Sequence, residues 1–379
     1  MRRRELLAAA GLLPLFTSAA HAGPTLKVGP RQAVKSLAAA ARQAKDGTLI
    51  EVDAGDYIAD VATWHAHDLT LRAVGGRVRL VAAGAHAQGK GLFVTRGQRM
   101  RIEGFDFTGC TVPDRNGAGI RLEAGSLTLV DCGFFDNENG LLTSNDQTIT
   151  LDIVDCDFGA IPLRRGATHN LYVGAIARLS VTGSYFHHGL LGHLLKSRAA
   201  VNHILYNRLS DEIGGRASYE LEFPNGGVAV VMGNLIMQSS TTDNPHVISF
   251  GVEGATWPKQ ALYLVHNTLV DQRPSGGIWL RVTPRHAEVM LANNLLVGTP
   301  QLAADGHWTR RANLRADWDE FVRAAREDFR LKPDSSLRGK AQDMGQAEGV
   351  RLSPAREYKH PHTTAALSGP ARHPGAFQS

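Results

Sequence analysis

From about residue 100 onward, short runs of alternating apolar and β-branched residues keep ending in one way: a small polar residue, one further residue, then an apolar one. The series opens with Ile102-Glu103-Gly104-Phe105-Asp106-Phe107 and Leu129-Val130-Asp131-Cys132-Gly133-Phe134. It continues through Ile153–Phe158, Val181–Phe186, Leu205–Leu209, Met232–Ile236, Val265–Leu269 and Ala292–Leu296. The apolar residue after the turn falls at 107, 134, 158, 186, 209, 236, 269 and 296, a repeat of about 27 residues. A helical repeat would need amphipathic stretches of roughly ten residues or more, and these runs alternate over four to six.

Each repeat carries a second strand upstream of its turn: Leu92-Phe93-Val94, Ile120–Glu123, Leu141-Leu142-Thr143, Leu171-Tyr172-Val173, Leu194-Leu195-Lys196, Tyr219–Phe223, Ile248-Ser249-Phe250 and Ile278–Arg281. Short strands joined by variable loops describe the coils of a β-solenoid. Asn207, Asn234, Asn267 and Asn294 share one place in successive coils, and Cys132, Cys156 and Ser184 hold it in earlier ones. Asn tolerates the left-handed conformation of a sharp turn, and stacked amides bond from coil to coil. A Cys132–Cys156 disulfide is open to an exported chain, and two buried thiols are the simpler expectation.

On these residues the chain resembles the right-handed parallel β-helix of the pectate-lyase-like superfamily. A helix over Pro30 to Lys45, with its Ala38–Ala41 run, fits the N-terminal cap, and Asp46-Gly47-Thr48-Leu49-Ile50-Glu51-Val52-Asp53-Ala54-Gly55-Asp56-Tyr57 resembles the strand and turn that open such solenoids. The resemblance implies an all-β fold over residues 23–300. Residues 301–379 break the repeat and read as a C-terminal cap over the last coil's edge. In that segment we expect a helix over Ala312 to Arg326, a strand at Asp328–Pro333 and an extended tail after Ser353.

Composition narrows the function. The chain has 379 residues, is 43% hydrophobic and 20% charged, and is therefore not disordered; three Cys do not make a disulfide scaffold. Residues 1–22, MRRRELLAAAGLLPLFTSAAHA, read as an export signal of the Sec or twin-arginine type, cleaved after Ala22. Its loss lowers the formal charge from +5 to about +3. A soluble periplasmic or secreted monomer is expected, with neither a nucleic-acid nor a membrane partner.

Because the core of such a solenoid is packed solid, chemistry belongs to an outer face. Taking alternate residues as outward, the second strands present Asn170, Tyr172, Lys196, Arg198, Glu220, Glu222, Ser249, Trp279 and Arg281. Lys196 and Arg198 suit a uronate carboxylate, with lysine as the base for its α-proton, or else form a salt-bridge ladder with Glu220 and Glu222. The run Lys196-Ser197-Arg198-Ala199-Ala200-Val201-Asn202, followed by Asn207, resembles the alginate lyase and chondroitinase B type of β-helix lyase, in which a lysine of such a Lys-Ser pair is the catalytic base. Leu191 to Leu195 lacks the acidic calcium ligands of those enzymes, and Glu220 and Glu222 stand where they carry an arginine. The expected catalytic set is Lys196 as base, Arg198 as clamp, and Tyr172 or a His such as His169 as acid; Asn170, His193, Glu220, Glu222, Trp279 and Arg281 would line the substrate.

The substrate expected is an acidic polysaccharide, cleaved by β-elimination. Alternatives are a C5-epimerase, a glycoside hydrolase using Glu220 and Glu222, and a carbohydrate-binding protein without activity. No cofactor is identified from the sequence. Calcium is a candidate, held by Glu220 and Glu222 with Asn170, while His169, His187, His188 and His193 match no known zinc spacing.

Overall fold

A computed structural model describes residues 23–159, 168–242, 244–302 and 307–379. The proposed export signal lies outside the described residues.

The chain winds into a parallel β-helix of about ten coils. Three columns of strands run its length. The first holds Met100–Glu103, Ser126–Val130, Thr150–Val154 and their successors, and the second holds Phe105–Thr108, Gly133–Phe135, Asp157–Gly159 and theirs. The third is a separate sheet from Ala62–Trp64 to Ile278–Val282. The long strands Leu49–Ile58 and Thr70–Val81 bend through both of the first two columns, joining them into one sheet. All pairings between coils are parallel.

The repeat positions read from sequence coincide with the observed register. Phe107 pairs with Phe134, Phe134 with Phe158, Phe158 with Phe186 and Phe186 with Leu209. The series continues through Ile236, Leu269 and Leu296. The Phe rings from 107 to 186 stack nearly parallel, with centroids 5.1, 4.5 and 4.7 Å apart. Burying an aromatic side chain contributes about 2–3 kcal/mol, so this file of rings is a large share of the core.

The turn between the first and second columns is a ladder. Asn207 N donates to Asn234 Oδ1 at 2.8 Å, Asn234 N to Asn267 Oδ1 at 3.0 Å, and Asn267 N to Asn294 Oδ1 at 2.9 Å. Ser184 N donates to Asn207 Oδ1, Cys156 N to Ser184 Oγ and Cys132 N to Cys156 Sγ. The left-handed residue of the turn is not the Asn, as expected, but the one before it: Tyr206, His266 and Asn293 have φ of 58°, 54° and 55°. The Asn is selected as a buried acceptor and donor, and its predecessor absorbs the bend. Cys132 and Cys156 are free, buried thiols within the same ladder.

The N-terminal helix is shorter than its apolar run suggests, spanning Leu37–Gln43. Ser36 caps it through Ala39 N, and the Asp60 carboxylate accepts from Leu37 N and Ala38 N. Leu37 and Ala40 close the first coil. No helix among the described residues is long and apolar enough to cross a membrane.

Past residue 300 two expectations fail and one holds. Ala312 to Arg326 is not a helix. Thr309–Arg311 and Leu314–Ala316 extend the solenoid, and Asn313 continues the Asn ladder by accepting from Asn294 Nδ2 at 2.7 Å. Coil pairing thus outweighs the helical pattern. The expected strand is present as Asp328–Leu331. The tail after Ser353 is not extended loop but contains an antiparallel hairpin, Arg356–Lys359 with Thr363–Ala366.

The segment also does more than cover the last edge. Phe321, Phe329, Leu331 and Leu337 pack on Leu235, Met237, Val270 and Val297, while Leu352 packs on Val228, Val230 and Tyr263. This explains why strands such as Val228–Met232 are buried on both faces, whereas earlier ones such as Ser126–Val130 alternate.

Candidate functional site

The third column decides which side chains face outward. Its register aligns Arg121, Leu142, Tyr172, Lys196, Glu222, Ser249 and Arg281 in one outward file, each about 4.8 Å from the next. A second file, His193 beside Tyr219, follows the start of the strands. Between the two files strict alternation breaks. Leu194 and Leu195 are adjacent, yet both are fully buried in the core. The strand bends at the corner and turns two successive side chains inward.

That bend corrects three expectations. Glu220 falls in the inward place of Leu194 and is fully buried. Trp279 occupies the same place two coils later and belongs to the core. Asn170 is buried too, and its Nδ2 ties down the carbonyls of Phe158 and His187. None of the three lines a groove. The hydrolase pair Glu220/Glu222 and the calcium set of Glu220, Glu222 and Asn170 are therefore not assembled. His187 and His188 lie in the second column, where His187 Nε2 meets Asp157 at 2.9 Å, away from His169 and His193. Among the described residues no cluster of His, Cys, Asp and Glu has the geometry of a metal site.

The remaining residues do converge. Lys196 Nζ lies 3.1 Å from Glu222 Oε2 and 2.7 Å from Glu253 Oε1. Arg198 Nη2 lies 2.6 Å from Glu253 Oε2, its Nε donates to Tyr172 Oη at 3.1 Å, and its Nη1 donates to Asn225. Trp257 Nε1 donates to the Arg198 carbonyl at 3.0 Å. His193 Nδ1 also stands 3.1 Å from Glu222 Oε2. The contacts of Glu222 Oε2 with His193 and Lys196 are close but not aligned as hydrogen bonds. The ladder between Lys196/Arg198 and the glutamates therefore forms with Glu222 and Glu253, and Glu220 takes no part in it.

The electrostatics follow from this packing. Burial pushes the Glu222 carboxyl up, but contact with His193 and the charge of Lys196 outweigh it and hold it down to about 2. Glu222 is thus a fixed anion, braced by Ser249 Oγ at 3.2 Å. Burial likewise opposes Lys196 and Arg198 at Glu253, which ends below the usual range. His169 is pushed well below its ordinary value by burial, with His193 and Lys196 adding to the effect. Its neutral Nδ1 accepts from His193 N at 2.9 Å and its ring stacks on Tyr172, so it orients neighbours. Arg281 is exposed at the far end of the outward file.

Glu253, Asn225 and Trp257 were not visible from the repeat. They lie in loops, where no strand period assigns a direction, and Glu253 is 57 residues from the lysine it touches.

No protein-family profile matches the chain, and no curated protein matches its sequence. Among solved structures it is similar to pectate lyase Pel9A, at 13% identity and a TM-score of 0.61 over 94% of this chain and 96% of that one. A pectin methylesterase from Aspergillus niger aligns at 12% identity over 79% and 87% of the two chains, with a TM-score of 0.35, too loose to bear on the argument. The chain therefore has the pectate-lyase-like parallel β-helix fold.

Proposed function

We propose that this protein is an exported lyase of a uronic-acid-containing polysaccharide. One observation carries the reading: Lys196, Arg198 and Tyr172 project from neighbouring coils into one cluster, with Arg198 bonded to Tyr172 Oη. β-Elimination needs the uronate carboxylate neutralised, a base for the C5 proton and an acid for the departing O4. In this reading Arg198 clamps the carboxylate in the planar fork that suits it, Lys196, having first released its own proton to solvent, takes the C5 proton as the neutral amine, and Tyr172 or His193 protonates the leaving oxygen. Glu222 positions Lys196 and His193. An exported address rests on the signal-like residues 1–22.

The test is incubation with acidic polysaccharides, following ultraviolet absorbance of the unsaturated product. Lys196→Ala should lose roughly 10²- to 10⁴-fold in turnover with the fold intact. Lys196→Arg should not restore it, since arginine cannot give up its proton. Near-normal turnover by Lys196→Ala would overturn the assignment.

A glycoside hydrolase is the second reading, favoured by one distance. Glu222 and Glu253 both touch Lys196 Nζ, so their oxygens lie within about 6 Å of each other, near the spacing of a retaining pair. It predicts saturated products and abolished activity in Glu253→Gln.

A further inference from the structure

The side of Lys196 and Arg198 where a uronate carboxylate would bind is taken by the chain itself. Glu253 places Oε1 on Lys196 Nζ and Oε2 on Arg198 Nη2, one carboxylate bridging two cations. The two glutamates at Lys196 differ sharply. The Glu222 side chain is 3% exposed and braced by its strand neighbours, whereas Glu253 is 44% exposed. Glu253 sits in the loop after His246–Phe250, between Gly251 and Gly254, whose φ values of 73° and 107° suit glycine. Each cation has another neighbour besides Glu253: Tyr172 and Asn225 bond to Arg198, and Glu222 Oε2 lies 3.1 Å from Lys196 Nζ.

We propose that Glu253 is an internal stand-in for the substrate carboxylate, a displaceable gate that admits anionic sugars and refuses neutral ones; this rests on the uronate reading above. A uronate that enters exchanges carboxylate for carboxylate and leaves the charge balance of the cleft unchanged. A neutral sugar that displaced Glu253 would strip Arg198 of the one acidic partner it has among the described residues, and an unpaired, partly buried cation is costly. The gate lowers apparent affinity to the intrinsic value multiplied by the fraction of molecules in which it is open.

The test measures binding by calorimetry to the full chain and to Glu253→Gln, with Glu253→Ala as a second variant. The probes are tetramers of galacturonate and of mannuronate, with cellotetraose as the neutral control. Both variants should bind at least one uronate tetramer about tenfold or more tightly than the parent, as expected if the gate is closed in nine molecules of ten, with a smaller gain for cellotetraose, which brings no carboxylate to the two freed cations. Unchanged or weaker uronate binding in both variants, or an equal gain for cellotetraose, overturns the gate. Tighter uronate binding without unsaturated product from any of the three proteins keeps the gate and removes the lyase reading. Absence of uronate binding by all three removes both.

Discussion

Removing one rung of the Asn ladder is the sharpest test of how this solenoid is held. Asn234 Oδ1 accepts from Asn207 N at 2.8 Å and from Asn207 Nδ2 at 3.0 Å. Its Nδ2 donates to Ile204 O at 2.8 Å and to Asn267 Oδ1 at 3.0 Å. All of these atoms are buried. Asn234→Ala deletes the four bonds, worth about 1 kcal/mol each, and leaves the Asn207 N–H without its acceptor, a further ~1–2 kcal/mol. Two of the other neighbours keep partners: Asn207 Nδ2 still reaches Val181 O, and Asn267 Oδ1 still accepts from the backbone of residue 234. The expected loss is about 5–6 kcal/mol. Unfolding entropy of ~2.1 cal/mol/K per residue over some 350 residues makes 1 kcal/mol worth about 1.4 °C, so Tm should fall by roughly 7–8 °C. Asn234→Ser should lose about half as much, because Ser184 serves as acceptor at the same place two coils earlier. Thermal unfolding followed by circular dichroism reads both values. A drop of under ~1 °C in Asn234→Ala, or a Ser variant no better than Ala, would refute the ladder as a stabilising device.

Two further outcomes test the inward corner of the third column. Burial, then the charges of Asp211 and Asp271, push the Glu220 carboxyl well up, and burial raises Asp211 to about 7. Native carboxyls raised in this way hold protons that the unfolded chain has already released, so stability is greatest at acidic pH and falls as pH climbs from about 4 to about 7 and beyond. For Asp211 alone the shift corresponds to about 4 kcal/mol. Glu220→Gln should accordingly raise Tm at pH 8 more than at pH 5; equal shifts at both would contradict a neutral buried acid. Trp279→Ala should cost about 3–5 kcal/mol of stability, measured by denaturant unfolding, while leaving uronate binding unchanged; the reverse pattern would mean that the indole faces the groove after all.

Much of the architecture was legible in the one-dimensional pattern. An apolar residue recurring every coil must stack on its own counterpart, so Phe107 through Leu296 declared the register without any knowledge of the third dimension. The polar position beside it announced the ladder, because a buried side chain in a stacked turn can only bond along the stack. Tyr172, Lys196 and Glu222 were legible as one outward file for the same reason. What the pattern could not carry was any departure from strict alternation. Glu220, Asn170 and Trp279 were assigned outward by counting in twos from Glu222, Tyr172 and Arg281, and a bend of the backbone at the corner turned them inward. Residues 312–326 show the same limit: local helical preference yielded to the pairing offered by an existing coil edge. Glu253 marks the furthest reach of tertiary structure. A loop residue has no period, and only the folding of Gly251–Gln260 over the neighbouring coil brings its carboxylate onto Lys196 and Arg198. Repetition along the chain therefore determined which residues stack, while the bends and loops between strands decided which of them meet a ligand.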